Sequence, residues 1–224
     1  MADPDLCGTE FLEPSWSVWR GPIAALHDGD AGALSPEDRA LALKLTGRAT
    51  LPTEPPRELY IGAGRRSGKT RFASVLGVHA AAQDYRDRLA PGEVATVALV
   101  APDRKQAGLL LDYCRGIVEG SEILRSELTR ETADSLEFAH RTRIEVHTGS
   151  FRSVRGYTMA LAVIDEAAFL RDESSTVPDV ELARALRPAL LTLGGRLVVI
   201  SSPHRKVGLM YDAYKRYYGE GIAA

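Results

Sequence analysis

The residues best able to do chemistry fall into three short clusters, each at the end of an apolar run. The first is Gly62-Ala63-Gly64-Arg65-Arg66-Ser67-Gly68-Lys69-Thr70, set between a strand-like pattern, Glu58–Gly62, and a helical one. Glycines at 62, 64 and 68 let backbone N–H groups curl round an anion. A helix opening near Gly68 points its positive end at the same place. Strand, loop and helix in that order are the context a Walker A loop requires, with Ala63 standing where a glycine is usual. Ala63, Gly64, Arg65, Arg66, Ser67, Gly68, Lys69 and Thr70 are therefore the expected nucleotide contacts. Lys69 would reach the β- and γ-phosphate oxygens, and the Thr70 hydroxyl would complete a Mg²⁺ shell. The implied ligands are ATP and Mg²⁺.

The second cluster, Leu161-Ala162-Val163-Ile164-Asp165-Glu166, is an apolar strand ending in two carboxylates. Asp165 would hold Mg²⁺ through its water shell, and Glu166 would polarise the water that attacks the γ-phosphate. The third, Leu197-Val198-Val199-Ile200-Ser201-Ser202-Pro203, repeats the layout with hydroxyls in place of acids. Ser201 or Ser202 could sense the γ-phosphate or hold the attacking water. Ser-Ser-Pro is also ordinary turn chemistry, and its place one crossover after the acidic strand is what favours the first role.

These clusters need a scaffold that brings strand ends together. Strand patterns at Glu58–Gly62, Val94–Val100, Ala160–Ile164 and Arg196–Ser201 alternate with helical ones at Lys69–Asp84, Asp103–Val118, Val180–Leu193 and Val207–Tyr218. Such alternation implies a mainly parallel sheet with helices on both faces, whose ligands sit beyond the carboxyl ends of the strands. Ser135–Phe138 and Arg143–His147, around His140-Arg141-Thr142, fit a small β-hairpin insertion. The expected fold is α/β, a P-loop NTPase of the additional-strand, RecA-like class. Residues 1–57 read as an N-terminal arm and helix packing on that core, and residues 58–224 as the core itself. Trp16 and Trp19 stand as on one helical face, and Ser35 caps a helix with Pro36 at its first position. Leu51-Pro52-Thr53-Glu54-Pro55-Pro56 is a stiff link.

With 224 residues, 45% of them hydrophobic, there is ample material for a packed core. A formal charge of −2 excludes a globally basic nucleic-acid binder but not a local basic strip. Among 28 cations only 5 are lysine, so planar guanidinium donors for phosphate abound. Arg141, Arg143, Arg152, Arg205, Lys206, Lys215 and Arg216 are candidates for such a strip, and solvated charges by default. Cys7 and Cys114 lack metal-ligand spacing, which implies a reduced protein without zinc. No segment reaches the roughly 18 apolar residues of a membrane span, and the acidic start is no signal peptide. A soluble, intracellular protein is expected.

At this point the chain resembles the motor domain of tailed-phage large terminases. The resemblance runs from about Trp16 to Tyr218. It rests on Gly64-Arg65-Arg66-Ser67-Gly68-Lys69-Thr70, on Ser150-Phe151-Arg152-Ser153-Val154-Arg155-Gly156-Tyr157, on Val163-Ile164-Asp165-Glu166-Ala167-Ala168-Phe169, and on Ser201-Ser202-Pro203. It implies ATP hydrolysis that drives double-stranded DNA into a procapsid. Its partners would be a portal protein and a small terminase subunit, the assembly a homo-oligomeric ring, usually a pentamer, and the place the host cell cytoplasm. It also implies that Arg155, with Arg152 in reserve, enters a neighbouring subunit's site, where an arginine would offset charge on the transferred phosphoryl group. Arg65 or Arg66 would match the family's loop arginine, and the region of Thr46-Gly47-Arg48 would match its adenine pocket. A complete large terminase continues into a nuclease domain that this chain lacks. The expectation is a motor domain separated from its nuclease and unable to cut DNA.

Two other readings use the same residues. A helicase-like ATPase would share the loop and the Asp-Glu pair but would need a second RecA-like domain. A nucleotide-gated assembly protein would bind ATP with little turnover, and would have no use for Glu166 as a base.

Overall fold

The structure, a computed structural model, describes residues 11, 13–24, 31–148, 154, 156–170 and 178–219. Two helices, α1 (Ser17–Pro22) and α2 (Pro36–Thr46), precede β1 (Glu58–Gly62) and α3 (Lys69–Ala81). Then come β2 (Ala95–Ala101), α4 (Arg104–Glu119), α5 (Glu122–Glu127), β3 (Leu128–Glu131), β4 (Ser135–Phe138) and β5 (Thr142–Thr148). The chain continues through β6 (Thr158–Ile164), α6 (Pro178–Leu191), β7 (Arg196–Ser201) and α7 (Leu209–Tyr217).

Among the described residues these strands form one seven-stranded sheet in the order β1-β7-β6-β2-β5-β4-β3. From β1 through β5 all neighbours run parallel. Strands β4 and β3 add an antiparallel edge. The hairpin read from the sequence is thus β4–β5, and it extends the main sheet because β5 pairs with β2.

Alternation along the central strands sends side chains to two separate cores. Val97 and Leu99 of β2, Leu161 and Val163 of β6, and Val198 and Ile200 of β7 meet Phe72 and Leu76 of α3 and Leu110 and Leu111 of α4. Their neighbours Ala98, Val100, Ala162, Ile164, Leu197 and Val199 meet Leu182, Leu186 and Leu190 of α6. Every residue of β2 is buried, as a parallel strand covered on both faces must be. Helix α7 lies against β1 on the α6 side, through Leu209 and Met210 near Tyr60.

The helix starts follow the sequence. Ser35 Oγ accepts the Asp38 N–H at 3.1 Å, and Asp103 Oδ1 accepts the Gln106 N–H at 2.9 Å. Helix α3 stops at Ala81, short of the expected Asp84. There the Asp84 carboxylate accepts the Arg86 N–H at 3.0 Å and turns the chain, while Tyr85 packs with Leu89, Ala160 and Leu193. Elements α5 and β3 were not expected. Ser121 caps α5 through its Oγ on the Leu124 N–H at 3.3 Å, and β3 is a mostly exposed edge with little apolar alternation to betray it.

Both tryptophans pack against aromatic rings. Trp19 is 5% exposed and its ring lies 4.5 Å from that of Phe72 on α3. Trp16 meets Phe11 edge-on at 4.8 Å. The Thr46-Gly47-Arg48 segment packs on the end of α7: the Thr46 carbonyl accepts the Gly219 N–H at 3.0 Å, and Gly47 lies against the Tyr218 ring. No helix among the described residues is long and apolar enough to cross a membrane.

Candidate active site

Three loops converge beyond the carboxyl ends of β1, β6 and β7, which are consecutive in the order β1-β7-β6. The loop after β1 is tied to β7 by the Ala63 N–H, which donates to the Ser201 carbonyl at 3.1 Å and prolongs the β1–β7 ladder past Gly62. Arg66 and Gly68 take positive φ, 60° and 85°. At Gly68 a Cβ would also stand 3.2 Å from a ring carbon of Trp16, a tight approach that adds to the strain any other residue would meet at this φ. The Phe72 N–H donates to the Gly68 carbonyl at 2.9 Å, and α3 starts there. Its first-turn N–H groups, which a helix leaves without intrahelical acceptors, face outward with the positive end of the helix dipole.

Lys69 is 5% exposed, and its Nζ lies 3.0 Å from Glu166 Oε1 while donating to Ser202 Oγ at 3.1 Å. The Thr70 hydroxyl donates to Asp165 Oδ2 at 3.0 Å. The other Asp165 oxygen accepts the Glu166 N–H at 2.7 Å. That bond holds Glu166 in the left-handed region, φ 48° and ψ 42°, an uncommon conformation for a side chain of its size. Burial raises the Asp165 carboxyl above the usual carboxylate range, and the Thr70 hydroxyl pulls the other way. A cation at this point would favour the ionised form.

The β7 loop closes the site. The Ser202 N–H donates to Glu166 Oε2 at 3.3 Å, and Ser201 Oγ accepts the Ala168 N–H at 3.2 Å. Beyond them the rings of Phe169 and His204 stack at 4.5 Å. The two loops are thus bridged at three successive points.

Lys69, Thr70, Asp165, Glu166, Ser201 and Ser202, read from separate stretches of sequence, come together here. Ala63, Gly64, Arg65, Arg66, Ser67 and Gly68 form the loop beside them, with the Arg65 and Arg66 side chains exposed. Arg155 and Arg152 lie outside the described residues, as does Cys7. Of the candidate basic residues, Arg143 pairs with Glu145 at 3.0 Å, and Arg141 donates to the Ala90 carbonyl at 3.3 Å. Sequence reasoning missed the part of Trp19, whose indole N–H donates to the Ser67 carbonyl at 3.1 Å. No pattern in the sequence marks that contact.

The residues present fit Mg²⁺ and a polyphosphate. Thr70 and Asp165 offer two hard oxygens within 3.0 Å of each other. No group of three or more His, Cys, Asp or Glu that could hold a metal occurs among the described residues. Mg²⁺ keeps water and substrate oxygens in most of its shell, so a hydroxyl and a carboxylate are the kind of protein ligands it takes. When bound, the ion would neutralise phosphate charge and orient the terminal phosphoryl group.

Loop, acidic strand and hydroxyl-ended strand, on a sheet with the loop strand and the acidic strand separated by β7, define a RecA-like P-loop fold. No protein-family model matches this sequence, and no curated protein sequence does either. Solved structures do resemble it, among them phage large terminases. The large terminase of bacteriophage HK97 superposes with a TM-score of 0.51 at 14% identity, over 84% of this chain and 37% of that one. The large terminase ATPase domain of Thermus phage P74-26 gives 0.48 at 19% identity, over 76% of this chain and 70% of that one. A mutant of the same domain gives 0.47 at 18% identity, with the same coverage. At such identity the likeness to the HK97 protein speaks for the fold.

Proposed function

We propose that this chain binds Mg·ATP in the loop 63–70 and hydrolyses it, as the motor domain of a terminase-type DNA-packaging machine. The observation that carries the reading is the meeting of Lys69, Thr70, Asp165, Glu166 and Ser202 within hydrogen-bonding distance at three adjacent strand ends. In this reading Lys69 binds the β- and γ-phosphate oxygens, Thr70 and Asp165 hold Mg²⁺, and Glu166 takes the proton of the attacking water. Ser202 registers the terminal phosphate. Double-stranded DNA is the proposed substrate of translocation, and a ring of copies docked on a portal, with a small terminase subunit, is the proposed setting in a host cell cytoplasm. The terminase part rests on the sequence motifs together with the fold of the neighbours; the ATPase part rests on the geometry.

Lys69→Ala tests the ATPase part. Hydrolysis should vanish and ATP binding weaken, because the main cation for the phosphates is gone, and near-normal turnover would remove the phosphate-loop assignment. Arg155 tests the ring. Arg155→Ala and Glu166→Gln, each inactive alone, should recover some activity when mixed, because one interface can then pair an intact Arg155 with an intact Glu166. No recovery in verified assemblies would assign Arg155 a role within its own subunit.

A further inference from the structure

We infer that Trp19 is a positioning residue for the phosphate cradle: its indole N–H holds the Ser67–Gly68 peptide so that the Gly68 N–H faces the anion. This rests on the nucleotide-binding reading above.

The indole is fixed before it makes the bond. It is buried against Phe72, itself fully buried, with ring centroids 4.5 Å apart and planes tilted by 31°. Phe72 is tied in turn to the loop, since its N–H donates to the Gly68 carbonyl. An indole offers one donor in one direction. Here that donor lies 3.1 Å from the Ser67 carbonyl oxygen.

A trans peptide is planar, so its C=O and N–H point to opposite sides. The chain has no cis peptide among the described residues. With the Ser67 carbonyl turned to Trp19, the Gly68 N–H must turn away from the indole; in the nucleotide-binding reading that is the side of the anion at the start of α3. Rotation of that peptide is the soft freedom in a glycine-rich loop, because Gly68 tolerates φ on either side of zero and sits at 85°. The rotated form would turn a carbonyl toward the phosphates. Trp19 selects the other form, and Trp16 flanks it, its ring 3.2 Å from where a Cβ on Gly68 would stand. A donor oriented in advance costs no reorganisation when the charge arrives. The arm preceding the core therefore reaches the site through a backbone contact.

Trp19→Phe keeps an aromatic ring against Phe72 and removes only the N–H. The dissociation constants of ADP and of inorganic tripolyphosphate, which has no base or sugar, should both rise about five- to tenfold, the worth of one hydrogen bond. KM for ATP should rise by the same factor with kcat changed by less than about twofold, since the lost interaction is made equally in ground and transition states. A role in packing alone would leave the tripolyphosphate affinity of the folded variant at the wild-type value, and that result overturns the inference. If wild-type protein binds neither ADP nor tripolyphosphate, the nucleotide reading fails and takes this inference with it. Should the variant not fold, the wild-type chain supplies a second measurement. It has 2 tryptophans, so ¹⁵N-indole spectra show two side-chain signals, assigned with Trp16→Phe. The Trp19 signal should shift on adding tripolyphosphate, with the midpoint of binding; a signal that stays in place through saturation overturns the inference equally.

Discussion

Glu166→Gln separates the ion pair that the carboxylate makes from the general-base role proposed for it. In the structure Glu166 Oε1 is the counter-ion of Lys69, at 3.0 Å. In the proposed reading a bound triphosphate needs that same ammonium, so ATP would replace Glu166 as its partner. The side chains of Lys69 and Glu166 are 6% and 25% exposed, which places the pair between an exposed ion pair, worth about 0–1 kcal/mol, and a buried charged hydrogen bond, worth about 1.5–3. Glutamine keeps the shape and a hydrogen-bonding oxygen but removes the charge, and so forfeits on the order of 1 kcal/mol in the nucleotide-free state. Affinity for ATP should then rise about fivefold, since 1.4 kcal/mol corresponds to a factor of ten. Repulsion between Glu166 and the γ-phosphate has the same sign and would add to the gain. Hydrolysis should move the other way, with kcat falling about a hundredfold or more for want of the base. A fluorescent-nucleotide titration measures the first effect and single-turnover phosphate release the second. Turnover within about tenfold of wild type would place the base elsewhere. Binding weaker than wild type would refute the exchange of counter-ions at Lys69.

Thr70→Ala and Asp165→Asn should each raise the Mg²⁺ concentration for half-maximal hydrolysis by about tenfold or more, and unchanged metal titrations would remove both from the metal site. Gly208→Ala should lower stability by about 2–3 kcal/mol in urea titrations. There φ is 91° and a Cβ would fall 2.5 Å from Asp179 Oδ2, so an unchanged midpoint would contradict the geometry. Burial pushes the Cys114 thiol from an ordinary 9.0 up to about 12. As pH rises above that ordinary value the unfolded chain loses this proton while the folded chain keeps it, so stability falls with pH. Urea midpoints across this range should fall more steeply for wild type than for Cys114→Ala, and equal slopes would refute the assignment.

The fold was legible where residue type and period agreed. Central strands such as Ala95–Ala101 are continuous apolar runs because both of their faces are covered, and no helix pattern competes with a run that short. Caps at Ser35 and Asp103 announced their helices by local chemistry alone. The failures lie where partners distant in sequence decide. Leu128–Glu131 becomes a strand only because Ser135–Phe138 offers it an edge, and its own residues carry no apolar face. Helix α3 ends early because Asp84 prefers the Arg86 N–H to a place in the helix. Composition could not weigh one against the other.

The site divides along the same line. Lys69, Thr70, Asp165, Glu166, Ser201 and Ser202 were legible because each ends an apolar strand or opens the helix after it, and a parallel sheet gathers strand ends on one side. Their bonding to each other was not. That Glu166 rather than Asp165 pairs with Lys69 follows from the left-handed turn at Glu166, which aims successive carboxylates in different directions. Asp165 stays in the plane of its strand, held by its own N–H on the Val100 carbonyl at 2.8 Å, and meets Thr70 at the start of α3. Two adjacent acids of nearly the same chemistry thus receive different partners from one backbone torsion. Residue spacing shows that the acids are neighbours; only the turn between them decides which faces Thr70 and which faces Lys69.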